Sequence, residues 1–135
     1  MRLWHKDLIP LLPRQQLLGQ WRECCAIAKS ISEEGTPNHV LVNRAMEYPL
    51  IHFSSYTYRV RCEMEYRGYN ADSVKFTKYI TDYPLTGMGN SVLFDGWHND
   101  RYLRQCLYNL QEKHDCGAIP DDEWEKITEK YPWIE

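Results

Sequence analysis

No stretch of the 135 residues is long and apolar enough to span a bilayer. The first residues carry Arg2, His5 and Lys6 but no apolar run of signal-peptide length, so a cytoplasmic protein without a membrane partner is expected. Disulfide chemistry is poorly provided for. The five cysteines, Cys24, Cys25, Cys62, Cys106 and Cys116, are odd in number and two are adjacent, which suits reduced thiols better than a framework. Internal repeats, low-complexity tracts and dividing linkers are lacking too, and the length fits one domain over residues 1–135. A chain of this size buries about two-thirds of the surface its unfolded form exposes, enough to fold without metal or disulfide. Positive charge is also short: the formal net charge is -3, which weighs against nucleic acid as a partner. Its distribution softens that exclusion. Residues 112–135 form an acidic segment of eight acids against three lysines, a net of -5, which leaves +2 on residues 1–111.

What is present is aromatic and helical. With 5 Trp and 10 Tyr, some rings must lie at the surface or line a cleft. Leu17, Leu18, Trp21, Cys24, Cys25 and Ala28 recur at helical spacing and predict a first helix over 14–30, with Pro13 in its first turn. The run 33–38 reads as a loop. Leu50, Phe53, Thr57, Val60 and Met64 predict a second helix over 49–67, closed by Gly68. Residues 70–97 read as an irregular connection with one short element near 74–80, and Gly87-x-Gly89 within it as a turn, there being no lysine placed for a phosphate loop. Leu103, Cys106, Leu107 and Leu110 predict a third helix over 99–113. Trp124, Ile127 and Tyr131 predict a last short one over 121–131, with acids at its start where the helix dipole favours them. The expected fold is all-α, three main helices and a short C-terminal one.

The segment Gln15-Gln16-Leu17-Leu18-Gly19-Gln20-Trp21-Arg22-Glu23, preceded by Met1-Arg2-Leu3-Trp4, resembles the pyrimidine-dimer DNA glycosylase/AP lyase family, the phage-type endonuclease V group. His52-Phe53 leading to Arg67-Gly68-Tyr69-Asn70, and Trp97-His98 before the third helix, fit the same family. The resemblance implies an all-α enzyme that cuts the glycosidic bond at pyrimidine dimers and nicks the abasic strand. It implies the chain's own α-amine as nucleophile and a Glu on the first helix as its partner, which fall here on Met1 and Glu23, with Arg22 as a phosphate and charge contact. A gapless count back from Glu23 would put the nucleophile at Arg2, but initiator Met is removed efficiently only before small residues, so Met1 is the expected nucleophile. At Ala26 and Gln16 the chain departs from the phage-type pattern, which has Arg and His there.

The chemistry stands on its own terms. An amine that attacks sugar C1′ must be unprotonated, and α-amines as a class are about a third neutral near pH 7.5 against about 0.1% for lysines. A nearby cation such as Arg22 favours the neutral amine further. A carboxylate can then stabilise the cationic sugar and imine and relay protons for β-elimination. No cofactor and no metal are expected, since Cys106, His114 and Cys116, with His98 upstream, have ligand atoms but no zinc spacing. Damaged double-stranded DNA is the expected partner and a monomer the expected state.

Taken as surface chemistry, Arg2, Arg14, Lys29, Arg44, Arg59, Arg61 and Arg67 are candidate phosphate contacts, and Trp4 and His5 candidates to stack against an extruded base. His39 and His52 are candidates to flank the cleft, each more often structural when taken alone. Each residue also has a plainer reading, Arg22-Glu23 as the solvated face of a helix and Trp21 as core. The acidic tail and the Ala26 and Gln16 departures favour an alternative, a non-catalytic nucleic-acid-binding or protein-interaction module that retains the fold.

Overall fold

A 21-residue helix, α1 (Arg14–Glu34), organises the chain. In the computed structural model, which describes residues 1–80 and 88–135, it packs on α2 (Leu50–Tyr66) and on α3 (Val74–Thr77), and α4 (Asp100–Asp115) and α5 (Asp121–Lys130) follow. Three 3-10 helices, Lys6–Leu11, Asn43–Glu47 and Pro132–Ile134, link these elements, and the described residues contain no strand. The all-α expectation holds. Pro84 and Gly87, read as parts of an irregular connection and a turn, lie outside the described residues.

The helix ends follow local chemistry. α2 stops where Gly68 adopts φ +83: its N–H reaches the Glu65 carbonyl at 2.9 Å and the Tyr69 N–H reaches Met64 at 2.8 Å, the paired bonds of a glycine C-cap. Asn99 caps α4 by accepting the Tyr102 N–H at 3.0 Å. α1 runs one turn past the expected end at Ser30, because Glu33 and Glu34 are good helix formers and only Gly35, at φ +78, breaks the path. Pro13 is the N-cap of α1 and not part of its first turn. The Lys6–Leu11 helix was not expected; the His5 ring nitrogen starts it by accepting the Asp7 N–H.

One core takes residues from every part of the chain, from Leu3 through Leu17, Phe53, Phe76 and Leu107 to Ile134. Most residues expected inward are buried, Leu18, Cys25, Leu50, Leu103 and Tyr131 only partly, and Gln20 and Ile27 join the buried face of α1. The segment before α1 threads into this core. The Arg67 guanidinium fastens its end, donating to the carbonyls of Leu12 at 2.7 Å and Pro10 at 3.0 Å while paired with Glu63. Arg67 therefore straps two segments together and has little left to offer a phosphate, contrary to the expectation for it.

Candidate active site and nucleic-acid groove

The start of the chain is held in register by a side chain of α1. Gln20 is 1% exposed, and its amide lies along the backbone of residues 2–4. Its Oε1 accepts the Trp4 N–H at 2.8 Å and its Nε2 donates to the Arg2 carbonyl at 3.0 Å. Two phenols complete the tether. Tyr56 donates to the Trp4 carbonyl at 2.6 Å and lies 2.9 Å from Gln20 Oε1, and Tyr102 donates to the Leu3 carbonyl at 2.5 Å. Burial pushes both phenols up, so they remain protonated donors.

Glu23 lies three residues beyond Gln20, which on a helix is the same face, and its Oε2 is 3.5 Å from the Gln20 amide nitrogen. Met1 is 45% exposed. Met1 and Glu23 line one open pocket of about 230 Å³ with Arg2, Trp4, Leu41, Asn109 and Lys113. A second pocket of about 370 Å³ shares Leu41 and is bounded by Arg44, Trp97, Arg101, Tyr102 and Gln105 among others. Arg101, Gln105, Asn109 and Lys113 recur every fourth residue of α4, so one helix face carries hydrogen-bond donors along both pockets. Among the described residues lining the two pockets, Arg2, Arg44, Arg101 and Lys113 are cationic and Glu23 is the only acid. A chain of net charge -3 thus keeps a locally basic groove.

The remaining candidates are dispersed. Arg22 and Lys29 are exposed on α1, a heptad apart on one face with Ala26 between them, and neither lines the pocket of Met1 and Glu23. Arg59 is bound to the Met88 carbonyl at 2.6 Å and Asn90 at 2.7 Å, beside a separate pocket of about 570 Å³. Arg61 pairs with Glu65 at 2.9 Å, and Arg14 lies over the Tyr69 ring. Arg2 alone of the seven basic candidates stands in the pocket with Met1, its guanidinium 5.1 Å from the Trp4 ring centroid, and Arg44 borders the next.

His5 does not reach a surface. It is 2% exposed, stacked on His98 at 5.2 Å, and burial lowers its pKa, which corrects the expectation that it stacks on an extruded base. Trp4 is 6% exposed and forms a wall of the pocket rather than a projecting platform. His98 is held down to about 2 by burial and by His5 and Lys6, while its Nδ1 accepts the Lys6 N–H at 2.9 Å. His52 is structural, with Nδ1 accepting the Phe94 N–H at 3.0 Å. No group of three or more His, Cys, Asp or Glu side chains among the described residues is arranged to hold a metal.

Sequence reading missed Arg101, Gln105, Asn109 and Lys113, although their spacing of four on an expected helix was available. It also missed Gln20, a polar residue three after Leu17 and four before Cys24 on the apolar stripe of α1.

The sequence profile of the family described as pyrimidine dimer DNA glycosylase matches residues 1–77, more than half of the chain. The chain belongs to this family. The matched span of this pyrimidine dimer DNA glycosylase family member contains the tethered N-terminus, all of α1 and α2, and Leu41, and it ends with α3. No curated protein and no solved structure matches the chain significantly. Among the described residues no helix is long and apolar enough to cross a membrane.

Proposed function

We propose that the chain is a DNA glycosylase with abasic-site lyase activity on damaged duplex DNA, with the Met1 α-amine as nucleophile and Glu23 as its acid–base partner. The observation that carries this reading is the Gln20 tether, which fixes residues 2–4 against α1 one turn before Glu23 and so brings Met1 and that carboxylate to one pocket. Family membership supplies the substrate class.

In the proposed reaction the amine attacks C1′ as the bond to the base breaks, its proton passes to the departing base, and the sugar ring opens to an imine as O4′ takes a proton from water. Glu23 stabilises the cationic carbon and then takes a C2′ proton, so that the 3′ phosphate leaves by β-elimination. Water hydrolyses the imine and frees the amine. Arg2, Arg44, Arg101 and Lys113 would neutralise phosphates along the groove, and Arg22 with Lys29 would do so from the adjoining face of α1. Arg14, Arg59 and Arg61 stand outside this footprint, engaged within the protein.

Nicking of ultraviolet-irradiated supercoiled plasmid tests the reading. The parent is expected to nick irradiated plasmid in preference to unirradiated plasmid, and Glu23→Gln to lower the rate about 10²–10⁴-fold. Equal nicking by the two proteins would retire the assignment of Glu23. Tight binding to damaged DNA without any nicking would point instead to a non-catalytic binding module.

A further inference from the structure

The chain between α1 and the Asn43–Glu47 helix presents two bulky apolar side chains to water. Val40 is 85% exposed and Leu41 49%, while Val42 beside them is fully buried. The tip is built without using either exposed side chain. The His39 carbonyl accepts the N–H groups of Val42 at 3.0 Å and Asn43 at 2.8 Å. Asn43 Oδ1 accepts the His39 N–H at 3.0 Å, and His39 Nδ1 accepts the Leu41 N–H at 3.2 Å. These bonds hold the backbone while Val42 and Ala45 anchor the tip in the core.

Its position gives the tip a use. Leu41 is the residue common to the pocket of Met1 and Glu23 and to the pocket of Arg44 and Arg101, so it stands on the ridge between them. Single exposed apolar residues are ordinary on protein surfaces. Two adjacent ones on a braced tip, flanked by cations, match a partner that is polyanionic outside and apolar between its layers. Stacked base pairs have that chemistry, and branched apolar side chains inserted at a base step are a recurrent means of opening it. Arg44 is paired with Glu47 at 3.2 Å, an exposed contact that a phosphate can replace.

We propose that Val40 and Leu41 form a wedge that enters the base stack beside the damaged nucleotide and holds that step open over the Met1 and Glu23 pocket. The proposal rests on the glycosylase reading for the identity of the DNA, but its test separates the two.

The experiment uses the full chain and a duplex that carries a 2-aminopurine next to a single abasic site. Binding of the parent unstacks the 2-aminopurine and raises its fluorescence, whereas Val40→Ser/Leu41→Ser loses most of the rise. The slope of binding affinity against salt stays that of the parent, because no charge is removed. The ratio of single-turnover strand cleavage on duplex to that on single-stranded abasic DNA falls about tenfold in the variant, since single strands need no opening. Circular dichroism and melting keep a folding defect apart from this loss. A parent that binds without a fluorescence rise, or a variant that matches the parent in both rise and ratio, overturns the wedge. A fluorescence rise that depends on Val40 and Leu41 in a parent that never cleaves supports the wedge and removes the glycosylase reading alone.

Discussion

Gln20 offers the sharpest test of how the N-terminus is held, because two substitutions there separate its accepting and donating roles. Gln20→Met keeps the volume and removes both. The Trp4 N–H and the Arg2 carbonyl then lose buried partners, while Tyr56 still donates to the Trp4 carbonyl. The buried Trp4 N–H left unsatisfied costs about 1–3 kcal/mol and the part-buried Arg2 carbonyl up to about 1 kcal/mol more, so the variant should lose about 1–4 kcal/mol, a sizeable part of the stability of an ordinary domain. At roughly 4 °C per kcal/mol for a chain of this length, Tm should fall by roughly 4–16 °C.

Gln20→Glu keeps the acceptor role at Oε1 and, when ionised, gives up the donor. The introduced carboxyl would be buried, would face the Arg2 carbonyl, and would sit about as near Glu23 Oε2 as the amide nitrogen does now, at 3.5 Å. All three conditions favour its neutral form, which still donates a proton to the Arg2 carbonyl, so its folded pKa lies above the ordinary value of about 4.3. The variant should therefore match the parent below about pH 4. It should lose about 1.4 kcal/mol per pH unit above that until the folded pKa is passed. Thermal melts of parent, Gln20→Glu and Gln20→Met from pH 4 to 8 read this directly. A Gln20→Glu deficit that is the same at every pH, or that grows on acidification, would refute the hydrogen-bond assignment.

The donor row on α4 predicts that Arg101→Ala and Lys113→Ala each weaken DNA binding irrespective of sequence and flatten the salt slope by about one phosphate contact. Arg61→Ala should leave that slope unchanged; a filter-binding titration in which Arg61 matters and α4 does not would move the groove elsewhere. His98 gives a pH signature of its own. Its folded pKa of about 2 lies below the unfolded value near 6.5, so the stability it confers is complete above pH 6.5 and declines by about 1.4 kcal/mol per unit below it. His98→Met, less stable than the parent at neutral pH for want of an acceptor for the Lys6 N–H, should see that gap close on going from pH 7 to 5. Parallel pH curves for the two proteins would contradict a buried neutral imidazole.

The helices were legible where one physical signal dominated. α2 and α4 each carry an apolar face with a decisive cap, Gly68 or Asn99, and their bounds follow within two residues. The end of α1 was obscured because Glu33 and Glu34 look like loop by polarity yet favour helix, leaving Gly35 as the true break. The Lys6–Leu11 helix carries a proline inside and is too short to show an apolar period of its own. That Met1 and Glu23 belong together was expected from a motif, and the two residues line one pocket. The part played by Gln20 was not legible, because its partners are backbone groups sixteen and eighteen residues away, and its polarity hid its place on the apolar stripe. Seven basic residues looked equivalent in one dimension, and only the fold brings Arg2 and Arg44 to the groove while engaging Arg14, Arg59, Arg61 and Arg67 internally.

In the proposed reaction a main-chain nitrogen, and not a side chain, becomes bonded to sugar. Incubation with a duplex bearing one abasic site, reduction by borohydride and mass spectrometry of the digested adduct reads that bond directly. The account predicts a covalent sugar remnant on the α-nitrogen of Met1, lost when residues are appended before Met1 and strongly reduced in Glu23→Gln. An adduct on a lysine such as Lys6, Lys29 or Lys113, or strand cleavage with no trapped protein, would contradict it.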